Sequence, residues 1–142
     1  MAASRPQPRA AHRADSRLSD RLHIEHVDFV SFLTQDIERA KRFYAETLGL
    51  ELETEGPDDM EFRAGQVTLD IFSPASQGQP FAPSLGGIAL RVPDVAAARA
   101  ALEEKGVEFT GETIDTGVCH MAFFKDPDGN QLMLHRRYAP RD

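Results

Sequence analysis

Phe29-Val-Ser-Phe-Leu-Thr-Gln-Asp36 runs directly into Ile-Glu-Arg-Ala-Lys-Arg-Phe-Tyr-Ala-Glu-Thr-Leu-Gly-Leu50. The pattern returns 58 residues later as Gly87-Ile-Ala-Leu-Arg-Val-Pro-Asp94, followed by Val-Ala-Ala-Ala-Arg-Ala-Ala-Leu-Glu-Glu-Lys-Gly-Val107. Each copy reads as a short strand closed by an Asp suited to N-cap a helix. Ile37, Ala40, Phe43, Tyr44 and Leu48 form an apolar stripe on the first helix, and Val95, Ala98, Ala101 and Leu102 on the second. Gly49 and Gly106 stand where each helix end needs positive φ.

Short strand patterns follow each helix. They cover 50–54, 60–64 and 67–72 in the first copy, and 107–111, 120–124 and 131–135 in the second. Each unit is therefore βαβββ, and the fold class is α+β, with paired βαβββ modules forming a cup-shaped mixed β-sheet domain. The modules span 24–73 and 87–137. Residues 74–86, rich in Pro, Ser, Gln and Gly, form a linker. A unit of about 55 residues buries little by itself, so the halves should pack as one domain over 23–142.

The 142 residues suit one domain, and 41% hydrophobic with 27% charged residues is the balance of an ordinary globular chain. No apolar run approaches the ~20 residues of a membrane-spanning helix, so no membrane role is expected. The net charge of −7 argues against nucleic-acid binding. The single Cys119 excludes an internal disulfide and suits a cytoplasmic location. Residues 1–22 carry Arg5, Arg9, Arg13, Arg17 and Arg21 against Asp15 and Asp20; with Pro6 and Pro8 and little to bury, they read as a disordered basic tail.

The helix pattern D-I-x-x-A-x-x-F-Y-x-x-x-L-G-L and the hairpin Phe124-Lys-Asp-Pro-Asp-Gly-Asn130 together resemble the vicinal oxygen chelate superfamily. This group includes glyoxalase I, bleomycin-resistance proteins, fosfomycin-resistance enzymes and extradiol dioxygenases, and the resemblance covers residues 24–137. It implies curved sheets that form a cup, often completed by pairing two chains into a homodimer. In the metalloenzymes of this group, one ligand sits on the first strand of each unit, usually His, and one on the last, usually Glu. The matching positions here are Phe29, Asp70, Gly87 and Met133. Phe and Gly offer no donor, a thioether suits these metals poorly, and one carboxylate does not hold a catalytic ion. No metal or other cofactor is therefore expected, with a divalent metal as the alternative.

Side chains alternate along a strand, so Met133 on the cup face places His135 there too. A four-residue Asp-Pro-Asp-Gly loop pairs Phe124 with Gln131, Ala122 with Met133 and His120 with His135. The expected small-molecule site then comprises Phe29, Ser31, Asp70, Phe72, Arg91, His120, Phe124, Met133 and His135, apolar walls with a few polar groups. Arg91 could hold a carboxylate or phosphate, and His120 or His135 could act as acid or base. Two functions follow from the resemblance: a metal-free binding protein of the bleomycin-resistance type, or a glyoxalase-like lyase, isomerase or dioxygenase. The enzyme would use His and Asp acid–base chemistry, or a displaced metal on Asp70, His120 and His135.

Overall fold

The computed structural model describes residues 22–141, so the basic tail falls outside the described residues, Leu22 apart. In chain order the elements are β1 (Phe29–Leu33), α1 (Ile37–Arg42), β2 (Glu51–Glu55), β3 (Asp59–Ala64), β4 (Val67–Phe72), β5 (Ile88–Arg91), α2 (Val95–Glu104), β6 (Phe109–Asp115), β7 (Cys119–Lys125) and β8 (Gln131–Arg137). This is the expected βαβββ repeat. The caps form as the sequence dictates: Asp36 accepts from the Arg39 N–H and Asp94 from the Ala97 N–H, each at 3.0 Å. Gly49 and Gly106 take φ of 74° and 92°. After Arg42 the first helix widens into a π-helical turn, Phe43–Thr47, with the Leu48 N–H on the Phe43 carbonyl.

Each module makes one four-stranded sheet, ordered β1-β4-β3-β2 and β5-β8-β7-β6. The first strand lies parallel to the last, and the other pairings are antiparallel. One face of each sheet is apolar and buried: Phe32, Met60, Phe62, Leu69 and Ile71 in the first, and Ala122, Phe124, Leu132 and Leu134 in the second. These join Ala40, Phe43, Tyr44, Val95 and Leu102 of the helical segments in one continuous core.

Tyr44 reveals how the sheets are arranged. Its ring packs 5.7 Å from that of Phe62 on β3, while its hydroxyl donates to Asp126, just past β7, at 2.6 Å. If the sheets lay edge to edge across β1 and β5, then β3 and β7 would be five strand spacings apart, about 24 Å. One side chain touches both, so the sheets are stacked with the helical layer between them. Their remaining faces point outward, away from each other.

The β7–β8 turn fastens this stack. Asp128 is buried and accepts from the Thr34 hydroxyl at 2.5 Å, the Gln35 N–H at 2.9 Å and the Arg39 guanidinium at 2.8 Å. Asn130, fully buried, donates to the Leu33 carbonyl and accepts from the Ser84 N–H of the linker. Burial, followed by the neighbouring Asp126 carboxylate, pushes the Tyr44 phenol well above its usual range, so it remains a donor.

Asp128→Ala strands three donors facing a buried site. It is expected to cost on the order of 2–4 kcal/mol, read as a lower urea midpoint. Tyr44→Phe leaves Asp126 with its other donors and should cost about 1 kcal/mol. A cost below about 1 kcal/mol for Asp128→Ala would show that the turn does not carry the contact between modules.

Candidate functional site

The β7–β8 turn also decides which side chains share a face. The loop is five residues, Asp126–Asn130, because Asn130 is drawn into the turn: its N–H and side-chain amide both donate to Asp126, at 2.8 Å. Lys125 therefore opposes Gln131, Phe123 opposes Met133, Met121 opposes His135 and His120 opposes Arg136. The expected register is displaced by one residue, and a one-residue slip moves every side chain of a strand to the other face. Phe124 is fully buried in the core against Leu132, not in the pocket. His120 lies on the opposite face from His135.

His120 instead belongs to an exposed group at the end of the second sheet. Its Nε2 is 3.4 Å from Asp115, and its ring centroid is 4.8 Å from that of Tyr138, whose hydroxyl donates to Asp115 at 2.8 Å. The Gly117 N–H, then the Tyr138 hydroxyl, hold the Asp115 carboxyl below its usual range. Asp70, His120 and His135 therefore do not share one ion, and the displaced metal arrangement has no geometric basis in the chain.

The other expected residues divide between the two outward faces. On the first sheet, β1 and β4 run in register with Phe29 beside Thr68, Ser31 beside Asp70 and Leu33 beside Phe72. The Ser31 hydroxyl donates to Asp70 at 3.3 Å, and the other oxygen of Asp70 is buried without a hydrogen-bond partner. Across β3, Glu61 stands directly opposite Asp70, with Asp59 opposite Phe72. The alternation of β3 places those two acids on one face, and its pairing with β4 brings that face to Asp70. On the second sheet, Ala89 pairs with Met133 and Arg91 with His135. Met121 and Phe123 extend that face from β7. The single-chain pocket expected around Asp70, Arg91 and His135 is thus two separate walls, because the stacking turns them in opposite directions.

The residues present do not fit the metal of the related metalloenzymes. A Cβ built on Gly87 would touch the Gln131 Cγ at 3.4 Å and the Met133 Cε methyl at 3.7 Å, so an apolar thioether lies beside that position. Phe29 and Gly87 supply no donor, and Asp70 faces the opposite side of the chain from Met133.

Asp70 is the most perturbed acid of these faces. Burial, then the charge of Asp59, with Glu61 adding and the Ser31 hydroxyl opposing, pushes its carboxyl up to about 6. An unfolded aspartate titrates near 3.8. Between these values the folded chain holds a proton that the unfolded chain has released, so stability falls as pH rises through this window and levels off above it. Relative to Asp70→Asn, the wild type should lose on the order of 1 kcal/mol from about pH 4 to about pH 7, allowing for the partial exposure of the group. Melting curves across that range check this; a difference that does not change with pH would contradict the crowding of Asp70.

Comparison with known proteins agrees with this architecture. The uncharacterized protein YaeR of Escherichia coli (strain K12) is 29% identical over 129 residues, covering 82% of this chain and 99% of YaeR. TnmS3, an antibiotic binding protein from Streptomyces sp. CB03234, superposes with a TM-score of 0.70 at 31% identity, covering 82% of this chain and 99% of TnmS3. A lactoylglutathione lyase from Agrobacterium tumefaciens superposes with the same TM-score at 18% identity, over 80% of this chain and 94% of the lyase, a likeness of fold alone. The family model for the glyoxalase/bleomycin resistance protein/dioxygenase superfamily matches residues 23–134. With its paired modules and its helix and hairpin motifs, the chain belongs to the glyoxalase/bleomycin resistance protein/dioxygenase superfamily.

Proposed function

We propose that this protein binds a small molecule without a metal or other cofactor, as a cytoplasmic homodimer. The observation that carries this reading is the outward face of the second sheet. Met121, Phe123 and Met133 form an apolar platform there, and the Met133 methyl lies beside Gly87, which has no side chain to offer a metal. Arg91 and His135 stand side by side at its margin, and neither meets a carboxylate among the described residues. A flexible thioether surface suits flat aromatic ligands, and an unpaired guanidinium suits an anionic substituent. The ligand class is therefore an aromatic or polycyclic compound bearing a carboxylate or phenolate. The likeness to TnmS3, an antibiotic binding protein, supports a binding role. A second copy would supply the opposite wall, with Phe29, Ser31, Asp70 and Phe72, because one chain turns its two faces apart.

An enzymatic reading has one specific observation in its favour. The carboxyl of Asp70, raised to about 6, titrates close to neutral pH, as a general acid or base must. With His135 on the opposite wall, it would serve proton transfer on an activated carbonyl compound.

A thermal-shift and calorimetric series with naphthoates and hydroxyanthraquinones tests the binding reading. Saturable binding is expected, weakened about tenfold by Arg91→Gln, or about 1.4 kcal/mol, with the ligand recovered unchanged. Turnover at saturation would replace it with the enzymatic reading. Protein purified without chelator should carry substoichiometric metal and gain no stability from Zn, Mn, Ni or Fe; stoichiometric metal would overturn the metal-free assignment.

A further inference from the structure

Arg137 closes β8, and its guanidinium is incompletely satisfied. One terminal nitrogen, Nη2, donates to the Pro140 carbonyl at 3.1 Å, while Nε is buried without a hydrogen-bond partner. A buried N–H left unpaired is costly, and the cost is relieved when a ligand supplies the acceptor. Arg137 also forms no ion pair among the described residues.

Strand alternation puts this residue on the face already described. Met133, His135 and Arg137 share one side of β8, the outward side of the second sheet. Arg137 stands two residues from His135, about 7 Å along the strand. Arg91 stands one strand over from His135, about 5 Å away. Two guanidiniums thus flank one imidazole, with the three backbones within about 9 Å of one another. No aspartate or glutamate occupies a paired position of that face. Asp115, the one acid in the pairing of β6 with β7, falls on the other face with His120. Lys125 lies opposite Gln131, four residues from His135, about 14 Å along the sheet, so the doubly basic corner is local.

That set of donors suits one class of anion. A carboxylate carries one charge and two oxygens, which a single arginine fork satisfies. A phosphate monoester carries close to two charges and three strong acceptor oxygens, enough for two guanidiniums and an imidazole N–H. Resting on the binding role given above, we propose that the anionic substituent of the aromatic ligand is a phosphate monoester, held between Arg91 and Arg137 with His135 donating to it. The ring system then lies beside it on Met121, Phe123 and Met133. Arg137 sets the preference for phosphate, since Arg91 alone suits either anion. The buried Nε that has no partner within the chain gains one from the phosphate.

Calorimetric titration with naphthyl phosphate and naphthoate at about pH 8, where the phosphate is doubly charged, tests this. Wild type should bind the phosphate about tenfold more tightly than the carboxylate. Arg137→Gln should weaken the phosphate about tenfold and the carboxylate no more than about threefold, so that the preference largely disappears. Arg137→Lys keeps the charge without the planar fork and should retain part of the preference. A role confined to the Pro140 contact would lower the melting temperature of the variants and leave the ratio of the two affinities unchanged. Equal affinities in wild type, or a preference that survives Arg137→Gln, overturn the phosphate assignment while the binding role stands. If the Gln variant does not fold, the wild-type ratio and the Lys variant decide. Wild type that binds neither naphthalene compound also overturns the assignment, and hydroxyanthraquinone binding in the same titrations then shows whether the binding role falls with it.

Discussion

The structure depends on the buried polar knot at the β7–β8 turn. Asp126 and Asp128 are carboxylates held away from water, which is costly unless every lone pair finds a donor. The donors come largely from the other module: the Tyr44 hydroxyl, the Thr34 hydroxyl, the Gln35 N–H and the Arg39 guanidinium. Satisfying the turn therefore requires the first module to be in place against it. Two units that each bury little on their own become one body, with Tyr44 bridging the layers.

That knot also has a consequence for the site. Drawing Asn130 into the turn lengthens the loop to five residues and sets the β7–β8 register. The register puts Phe124 in the core and brings Phe123, Met121, Met133 and His135 to the outward face. The make-up of that face thus rests on the conformation of the turn. The stacking held by the same contacts turns the two outward faces apart, one acidic around Asp70 and one apolar and basic around Met133 and Arg91. Asp70 and Arg91 therefore do not line one pocket within a single chain.

Much of the architecture was legible in the chain because its signals are local. Asp36 and Asp94 cap their helices through hydrogen bonds spanning three residues, and Gly49 and Gly106 end them with the positive φ their position demands. That Ser31 shares a face with Phe29, and Phe72 with Asp70, also followed, since one strand's alternation reveals which residues share its face; that Ser31 stands beside Asp70 came only from the pairing of β1 with β4. The acids around Asp70 were harder to see, because Glu61 and Asp59 join it only through the pairing of β3 with β4. The face of His120 relative to His135 depends on the length of the turn between their strands, which is not a local signal.

Sequence alone determined the number and kind of elements, the repeat, the caps and the identity of the side chains at the family's metal positions. These depend on periodicity and on interactions within a few residues. Only the tertiary structure decided the β7–β8 register, the stacking of the two sheets and the separation of Asp70 from Arg91 and His135. The physical reason is range. A strand's face changes with a single residue in the adjoining turn, and that turn's conformation is set by partners such as Tyr44 and Thr34, more than eighty residues away in the chain.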